Sequence, residues 1–216
     1  MKKTLIFDLD GTVLNTLQDL RNSVNFALNS NGFAEKSLEE IRKSVGNGLK
    51  MLIRRVLPPD AEETTVDAVL TAMKAHYCLH CHDETKPYPG IPELLSRLHA
   101  EGYRIALVSN KADEMTKELH RVFFAETIDV AIGETKQIRR KPAPDMVFEA
   151  IRQLGTDRND AICIGDSEVD IETAKNAGLP CLSVGWGFRS EEDLCAAGAK
   201  AVCRTPEELY EAIKGV

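Results

Sequence analysis

Long hydrophobic runs are the first thing that this sequence lacks. None of its apolar segments approaches the roughly 18 residues that a membrane-spanning helix requires. The earliest apolar segment, "LIF" at 5–7, runs directly into Asp8. It is shorter than the core of a secretory signal peptide, and no small-residue cleavage site follows it. We therefore expect a cytoplasmic protein with no membrane partner.

An excess of basic residues is also absent. The 216 residues include 27 Lys and Arg against 34 Asp and Glu, which gives a formal net charge of −7 at pH 7. Because nucleic-acid binding depends on a basic surface, this balance argues against a nucleic-acid partner. The hydrophobic fraction of 43% is sufficient for a proper core. The composition indicates a globular protein and specifies no oligomeric state.

The six cysteines show no recognisable disulfide framework. In "HYCLHCH" (76–82), Cys78, Cys81 and His82 match the C-x-x-C-H spacing of haem attachment and could also contribute to a zinc site. The absence of an export signal argues against haem, and the absence of a second ligand pair argues against zinc. The pattern favours the end of an amphipathic helix with cysteines as small hydrophobic side chains, and it leaves metal binding by this cluster open.

Short apolar runs alternate with helical patterns along most of the chain. Continuous apolar runs are typical of strands that are covered on both faces of a parallel sheet. The alternation predicts an α/β fold with a doubly wound parallel sheet. We expect strands at 3–8, 103–108, 161–165 and 180–184, weaker ones at 128–132 and 199–203, and helices at 91–101, 111–122, 144–154, 168–177, 190–197 and 206–214.

Residues 15–87 differ from the rest, because they contain no convincing strand. The block follows the first strand and returns at "KPYPG" (86–90), where two prolines stiffen the chain. We therefore expect an all-helical domain, 15–87, inserted into a core domain formed by 1–14 and 88–216. Its helical patterns lie at 16–30, 37–44, 47–56 and 61–82.

Polar residues follow the predicted strands of the core. In open α/β sheets, ligands bind at the carboxyl ends of the strands, so these residues should meet at one edge. Lys141 stands apart in sequence, directly before a proline and a helix start. The others are Asp8 and Asp10 after the first strand, Ser109 and Asn110 at the entrance of a predicted helix after "YRIALV", and Asp166 and Asp170 after "AICIG".

The chemistry of these clusters is complementary. Carboxylates are ligands that suit Mg²⁺, and the metal would offset their mutual repulsion. Ser109 with backbone N–H groups at a helix N-terminus would bind an anion, and Lys141 would add a positive charge for a phosphoryl group. Each residue alone could be a helix cap, a turn residue or a solvated charge. Together they indicate metal-assisted phosphoryl transfer.

Four segments resemble the motifs of the haloacid dehalogenase superfamily, in the expected order. They are "DLDGTVLNT" (8–16), "VSN" (108–110), "RKPAPD" (140–145) and "GDSEVDIETAKNAG" (165–178). The resemblance covers nearly the whole chain and implies a Rossmann-like core, a helical cap at the inserted position and Mg²⁺-dependent phosphatase activity. The acid at position 10 disfavours carbon–halogen cleavage, since dehalogenase members lack it.

The resemblance also implies roles for single residues. Asp8 would be the nucleophile that forms an aspartyl-phosphate, and Asp10 would be the general acid and base. Phosphate binding is implied for Ser109, Asn110 and Lys141. Metal binding is implied for Asp8, for the main-chain carbonyl of Asp10, for Asp166, and for Asp170 either directly or through a metal-bound water.

Two segments of the insertion, "DLRNSVNFALNSNGF" and "EEIRKSVGNGLKMLIRRVLP", resemble phosphoglycolate phosphatases. This implies a specificity loop at Gly46, Asn47 and Gly48, with Lys50 either binding a substrate carboxylate or lying exposed on a helix. The alternatives within the superfamily are a pyrophosphatase, a sugar-phosphate phosphatase and a phosphomutase, the last disfavoured by "GDSEVD". There are also two non-enzymatic alternatives. One is a receiver-like switch that is phosphorylated on Asp, which the length and the insertion disfavour, and the other is a regulatory protein with an inactive phosphatase fold.

Overall fold

The computed structural model describes residues 3–46 and 48–216 and separates the chain into two units. Unit 1 comprises residues 1–14 and 87–216, and unit 2 comprises residues 15–86. Within the described ranges, no helix has the length and apolar character needed to cross a bilayer.

The elements follow one another along the chain in a regular order. They are β1 Thr4–Phe7, β2 Leu14–Asn15, α1 Leu17–Ser30, α2 Leu38–Ser44, α3 Leu49–Val56, α4 Glu63–His80, β3 Lys86–Pro87, α5 Ile91–Ala100, β4 Arg104–Ala112, α6 Asp113–Phe123, β5 Val130–Glu134, α7 Asp145–Leu154, a short 3-10 helix Arg158–Asp160, β6 Ala161–Gly165, α8 Glu168–Ala177, β7 Cys181–Val184, α9 Glu191–Ala196, β8 Val202–Cys203 and α10 Pro206–Gly215.

A six-stranded parallel sheet forms the centre of unit 1, in the order β5-β4-β1-β6-β7-β8. The chain adds β4 and β5 on one side of β1 and then β6, β7 and β8 on the other. The strand order therefore reverses next to β1, which is the point where ligands bind in such sheets. The predicted doubly wound parallel fold is confirmed.

The core explains why the strand sequences are continuously apolar. Leu5, Ile6 and Phe7 of β1 are all buried, since helices cover both faces of a parallel sheet. Ile6 belongs to a cluster that also contains Met146 of α7 and Ala174 of α8. Full burial of a large aliphatic or aromatic side chain contributes about 1.5–3 kcal/mol, so this interior holds the ends of β1 and β6 in place.

Strand β4 is longer than predicted, and the helix after it begins later. The sequence pattern predicts that the strand ends at 108 and that the helix begins at 111, whereas β4 continues to Ala112 and α6 begins at Asp113. The cause is pairing with β5, in which Ala112 pairs with Glu134 after a register shift that follows Val108. Ser109 and Asn110 therefore lie in the strand and not at a helix entrance.

Unit 2 is built from the helices α1 to α4. Helices α1 and α4 are in contact, and both carry fully buried apolar side chains, among them Leu28 and Met73. The buried carboxylate of Asp19 on α1 accepts the backbone N–H groups of Glu84 at 2.9 Å and Thr85 at 2.8 Å. These bonds anchor the end of the unit to its first helix.

Candidate active site

Two loops that follow β1 and β6 form the centre of the site. β1 ends at Phe7, and the backbone N–H of Asp8 continues the pairing by donating to Ile164 O at 2.8 Å. Asp8 is 9% exposed and Asp166, directly after β6, is 2% exposed. The parallel pairing of β1 with β6 therefore brings carboxylates that are far apart in sequence to one sheet edge.

Lys141 joins two of the carboxylates. Its Nζ lies 2.5 Å from Asp8 Oδ1 and 2.6 Å from Asp170 Oδ1, and its side chain is only 6% exposed. Burial alone lowers the pKa of Lys141, but Asp170 and Asp8 together raise this pKa above its ordinary value. The lysine is therefore a permanent positive charge between two acids.

Asn110 holds the backbone of Lys141. Its side-chain Oδ1 accepts the backbone N–H of Lys141 at 2.8 Å, and its Nδ2 donates to the carbonyl of Lys141 at 3.0 Å. The sequence suggested Asn110 as a phosphate-binding residue. In the structure its amide is engaged at both ends in orienting the lysine.

Asp166 is held by donors from two directions. Thr12 Oγ1 donates to Asp166 Oδ1 at 3.0 Å, and the backbone N–H of Phe188 donates to Oδ2 at 2.7 Å. Burial, followed by the charge of Asp170, raises the pKa of Asp166 to about 7. A Cβ at Gly11, whose φ is +91°, or at Gly187 would collide with this carboxylate, so both positions require glycine.

Asp170 is shared between Lys141 and the start of its own helix. Its Oδ1 contacts Lys141, while Oδ2 accepts from Ser167 Oγ at 2.6 Å and from the Ser167 N–H at 3.2 Å. This reciprocal cap begins α8. The carboxylate is thus fixed by the helix terminus as well as by the lysine.

The donor set fits a small divalent cation. Asp8, Asp166 and Asp170 each offer a carboxylate oxygen, and these oxygens lie within 4.8 Å of one another. Burial raises the pKa of Asp8 well above its usual range; Lys141 opposes this, and Asp170 and Asp166 add to it. Three carboxylates thus lie close together, two of them in contact with Lys141, and a bound cation would offset the repulsion among them. An oxygen-only set of this kind suits Mg²⁺.

Asp10 and Ser109 lie beside this cluster. Ser109 is buried, and its Oγ donates to Asp10 Oδ2 at 3.4 Å and accepts the backbone N–H of Lys111 at 3.1 Å. Because Ser109 precedes the first residue of α6 by four positions, its predicted position at a helix N-terminus is wrong, whereas its phosphate-binding role stays a prediction. The cause is the extension of β4.

Sequence reasoning missed three contributors to the site. Lys111 lies with its Nζ 3.0 Å from Asp10 Oδ1, and its side chain is 6% exposed. Thr12 and the "GWGF" loop after β7 hold Asp166, and Trp186 Nε1 in that loop donates to the carbonyl of Thr12 at 3.0 Å. A lysine directly after "VSN" and a glycine-flanked tryptophan after a strand were the available signals.

The expected specificity loop lies in unit 2. Gly46 and Gly48 have positive φ values of +123° and +85°, and Asn47 lies outside the described residues. Lys50 is half-exposed and forms ion pairs with Glu63 at 2.5 Å and Asp67 at 2.8 Å. The structure thus gives Lys50 two carboxylate partners on its own unit.

The cysteine and histidine cluster gains no support as a metal site. Cys78 is exposed whereas Cys81 is buried, so the two thiols lie in different surroundings at the end of α4. His80 Nδ1 contacts Asp83 at 2.8 Å, and the His76 ring stacks between those of Phe26 and His80. Among the described residues, only Asp8, Asp166 and Asp170 form a group of three or more metal-ligating side chains.

Thr12→Val is expected to destabilise the protein by about 1–3 kcal/mol, because one buried donor to Asp166 is lost without a change of shape. Urea denaturation measures this, and Thr12→Ser, which keeps the hydroxyl, is the matched control. A valine variant as stable as the wild type, with a less stable serine variant, would show that packing and not the hydrogen bond matters here.

Known proteins resemble this chain over nearly its whole length. A family model described as haloacid dehalogenase-like hydrolase matches residues 5–184. The phosphoglycolate phosphatase of Nitrosospira multiformis is 32% identical over 98% of this chain and 94% of its own length, and that of Aquifex aeolicus is 30% identical over 86% of each. A crystal structure from Lactobacillus delbrueckii subsp. bulgaricus, described as a candidate phosphoglycolate phosphatase, superposes with a TM-score of 0.94 at 37% identity, covering 99% of both chains.

Proposed function

This chain belongs to the haloacid dehalogenase-like hydrolase family, and we propose that it hydrolyses a small phosphate monoester, phosphoglycolate or a close analogue, with Mg²⁺ and through an aspartyl-phosphate on Asp8. The observation that carries the proposal is the buried Asp8 carboxylate, which Lys141 contacts at 2.5 Å beside Asp166 and Asp170. Relatives along nearly the whole chain are phosphoglycolate phosphatases, and this supports the choice of substrate.

Asp8, Asp166 and the main-chain carbonyl of Asp10 would hold the metal, with Asp170 beside them. One oxygen of Asp170 contacts Lys141 and the other contacts Ser167, so Asp170 would orient the lysine and fix the start of α8 beside the metal. When bound, Mg²⁺ supplies positive charge that lowers the repulsion between the phosphate and the carboxylates. Members of the family generally use this ion, in agreement with the oxygen-only donor set.

The first half of the reaction transfers the phosphoryl group to Asp8. An oxygen of the Asp8 carboxylate attacks phosphorus and forms a new O–P bond, while the bond from phosphorus to the ester oxygen breaks. Asp10 gives its proton to the departing alkoxide, which leaves as an alcohol. The positive charge of Lys141 favours the ionised form of Asp8 against the effect of burial, and with Ser109 the lysine would bind the transferring oxygens.

The second half returns Asp8 to its starting state. Asp10, now ionised, takes a proton from a water molecule as the water oxygen attacks phosphorus. The bond from phosphorus to the Asp8 oxygen breaks, and inorganic phosphate leaves. Asp10 is reprotonated by this step, so the two carboxylates complete one turnover without a net change.

Specificity is proposed to come from the loop at Gly46–Gly48 in unit 2, which includes Asn47. The positive φ of both glycines gives the backbone a conformation that other residues rarely adopt. Because Lys50 has Glu63 and Asp67 as partners, the loop's contribution is assigned to its backbone and not to this lysine.

A kcat/KM panel tests the proposal. It includes phosphoglycolate, pyrophosphate, sugar phosphates and an aryl phosphate, each with Mg²⁺ and with EDTA. We expect turnover only with Mg²⁺ and the highest kcat/KM for phosphoglycolate. A flat profile would contradict the substrate assignment but not the reaction class. Retention of a single phosphate per chain, without repeated turnover, would instead favour a receiver-like switch.

A further inference from the structure

Lys111 is a buried cation that the reaction above does not use. It lies at the end of β4, and its side chain is 6% exposed while that of Asp10 is 24% exposed. Placing a lysine at a buried position is costly unless it is paired with an anion. Its Nζ is 3.0 Å from Asp10 Oδ1. The contact places a positive charge directly against the proposed general acid.

The position of Lys111 is fixed by the same elements as the site. Its backbone N–H donates to Ser109 Oγ at 3.1 Å, and Ser109 Oγ in turn donates to Asp10 Oδ2 at 3.4 Å. Lys111, Ser109 and Asp10 thus form one linked group across the ends of β4 and β1, which are paired strands. The cation is held there by the sheet and not by a mobile surface segment.

The two buried lysines of the site contact different catalytic groups. Lys141 contacts Asp8, the proposed nucleophile, and therefore lies on the side of the transferring phosphoryl group. Lys111 contacts Asp10, the proposed acid, which must reach the oxygen of the leaving group. Each lysine is thus associated with a different end of a substrate that spans the two aspartates.

We propose that Lys111 binds an anionic group, a carboxylate, on the leaving-group side of the substrate and so contributes to specificity in addition to the loop at Gly46–Gly48. This inference rests on the proposed phosphatase function and deepens it. In phosphoglycolate, one methylene separates the ester oxygen from the carboxylate. An ester oxygen within hydrogen-bond distance of Asp10 therefore carries its carboxylate to within a few ångströms of a cation that is itself 3.0 Å from Asp10. The carboxylate of phosphoglycolate would therefore lie near Lys111, whose charge is opposite to its own.

The test compares two substrates that differ only in this anion. Phosphoglycolate and ethyl phosphate are both two-carbon alkyl phosphates, and only the first has a carboxylate. We expect Lys111→Met to lower kcat/KM for phosphoglycolate about 10- to 100-fold more than kcat/KM for ethyl phosphate, the worth of a hydrogen bond to a charged group. Any loss that both substrates share reports the contact of Lys111 with Asp10. Lys111→Arg should keep part of the preference.

Lys117→Met is the matched control. Lys117 lies on α6, is 61% exposed and pairs with a carboxylate, Asp113, at 2.7 Å, so it resembles Lys111 in chemistry but not in burial. Its replacement should leave both substrates unaffected. If Lys111→Met does not fold, Lys111→Gln, whose amide can still donate to Asp10, is expected to show the same selective loss.

The outcomes separate the inference from the function on which it rests. An equal loss for both esters would show that Lys111 acts only by positioning Asp10, and no loss for either would show that it is structural; both results overturn the assignment. A wild-type chain that hydrolyses neither ester nor any other phosphate with Mg²⁺ would overturn the proposed function and this inference together.

Discussion

Asp8→Asn is expected to lower kcat by at least about 10⁴-fold while leaving the fold intact, because an amide oxygen cannot replace the attacking carboxylate. Stability should not fall, since burial and the charges of Asp170 and Asp166 already oppose ionisation of Asp8 and raise its pKa. The asparagine still offers an oxygen to Lys141 Nζ. Steady-state kinetics and thermal denaturation of the same preparation measure the two effects.

Asp10→Asn is the control for this substitution. It retains the nucleophile but removes the proton donor and acceptor, so both halves of the reaction should slow. Because the phosphorylated Asp8 then awaits an unassisted water, acid quenching followed by mass spectrometry should detect phosphate on the peptide that contains Asp8. The Asp8→Asn variant should show none. A kcat above one tenth of the wild-type value in Asp8→Asn would contradict the mechanism.

Lys141→Met is expected to lower the free energy of unfolding by about 3–5 kcal/mol, the cost of leaving a buried charge without its partner. Two carboxylates are affected, because Asp8 and Asp170 lie 2.5 Å and 2.6 Å from the Nζ that is removed. Activity should be lost as well, since the nucleophile then lacks its cation. Urea denaturation with EDTA present measures the stability, and added Mg²⁺ should restore part of it.

Lys50→Met is the matched control for stability. Lys50 also contacts two carboxylates, Glu63 at 2.5 Å and Asp67 at 2.8 Å, but its side chain is 50% exposed. Exposed ion pairs contribute about 0–1 kcal/mol, so this substitution should change stability by less than about 1 kcal/mol. Similar effects of the two substitutions would show that burial does not set the value of the Lys141 pairs.

Much of the fold followed from local pattern. The run "TLIF" could be recognised as a strand because all four of its residues are buried between two helical layers, and such a run has no polar face. The end of β4 could not be recognised in the same way. Ser109, Asn110 and Lys111 are polar, and only the pairing of Ala112 with Glu134 keeps this segment in the sheet.

The candidate site also contains residues that the sequence could identify and one that it could not. Asp8, Asp10, Lys141 and Asp166 could be proposed from sequence because carboxylates and a lysine at strand ends are unusual and chemically complementary. Lys111 could not, because a lysine after a strand is most often a solvated surface residue. Its burial against Asp10 depends on how β4 and β1 are paired, which is a property of the sheet.

By itself, the sequence determined the alternation of strands and helices and the acidic residues at the strand ends. The period of the hydrophobic pattern and the chemistry of single residues are local properties, so they can be recognised without knowing which residues lie nearby in the folded protein. The tertiary structure alone decided which groups form ion pairs and hydrogen bonds. Lys141 pairs with Asp8 and Asp170, the Asn110 side chain bonds the backbone of Lys141, and Lys111 pairs with Asp10. These partnerships depend on distances of about 3 Å between residues up to 133 positions apart, and only the assembled sheet, together with the loops and helices that follow its strands, sets such distances.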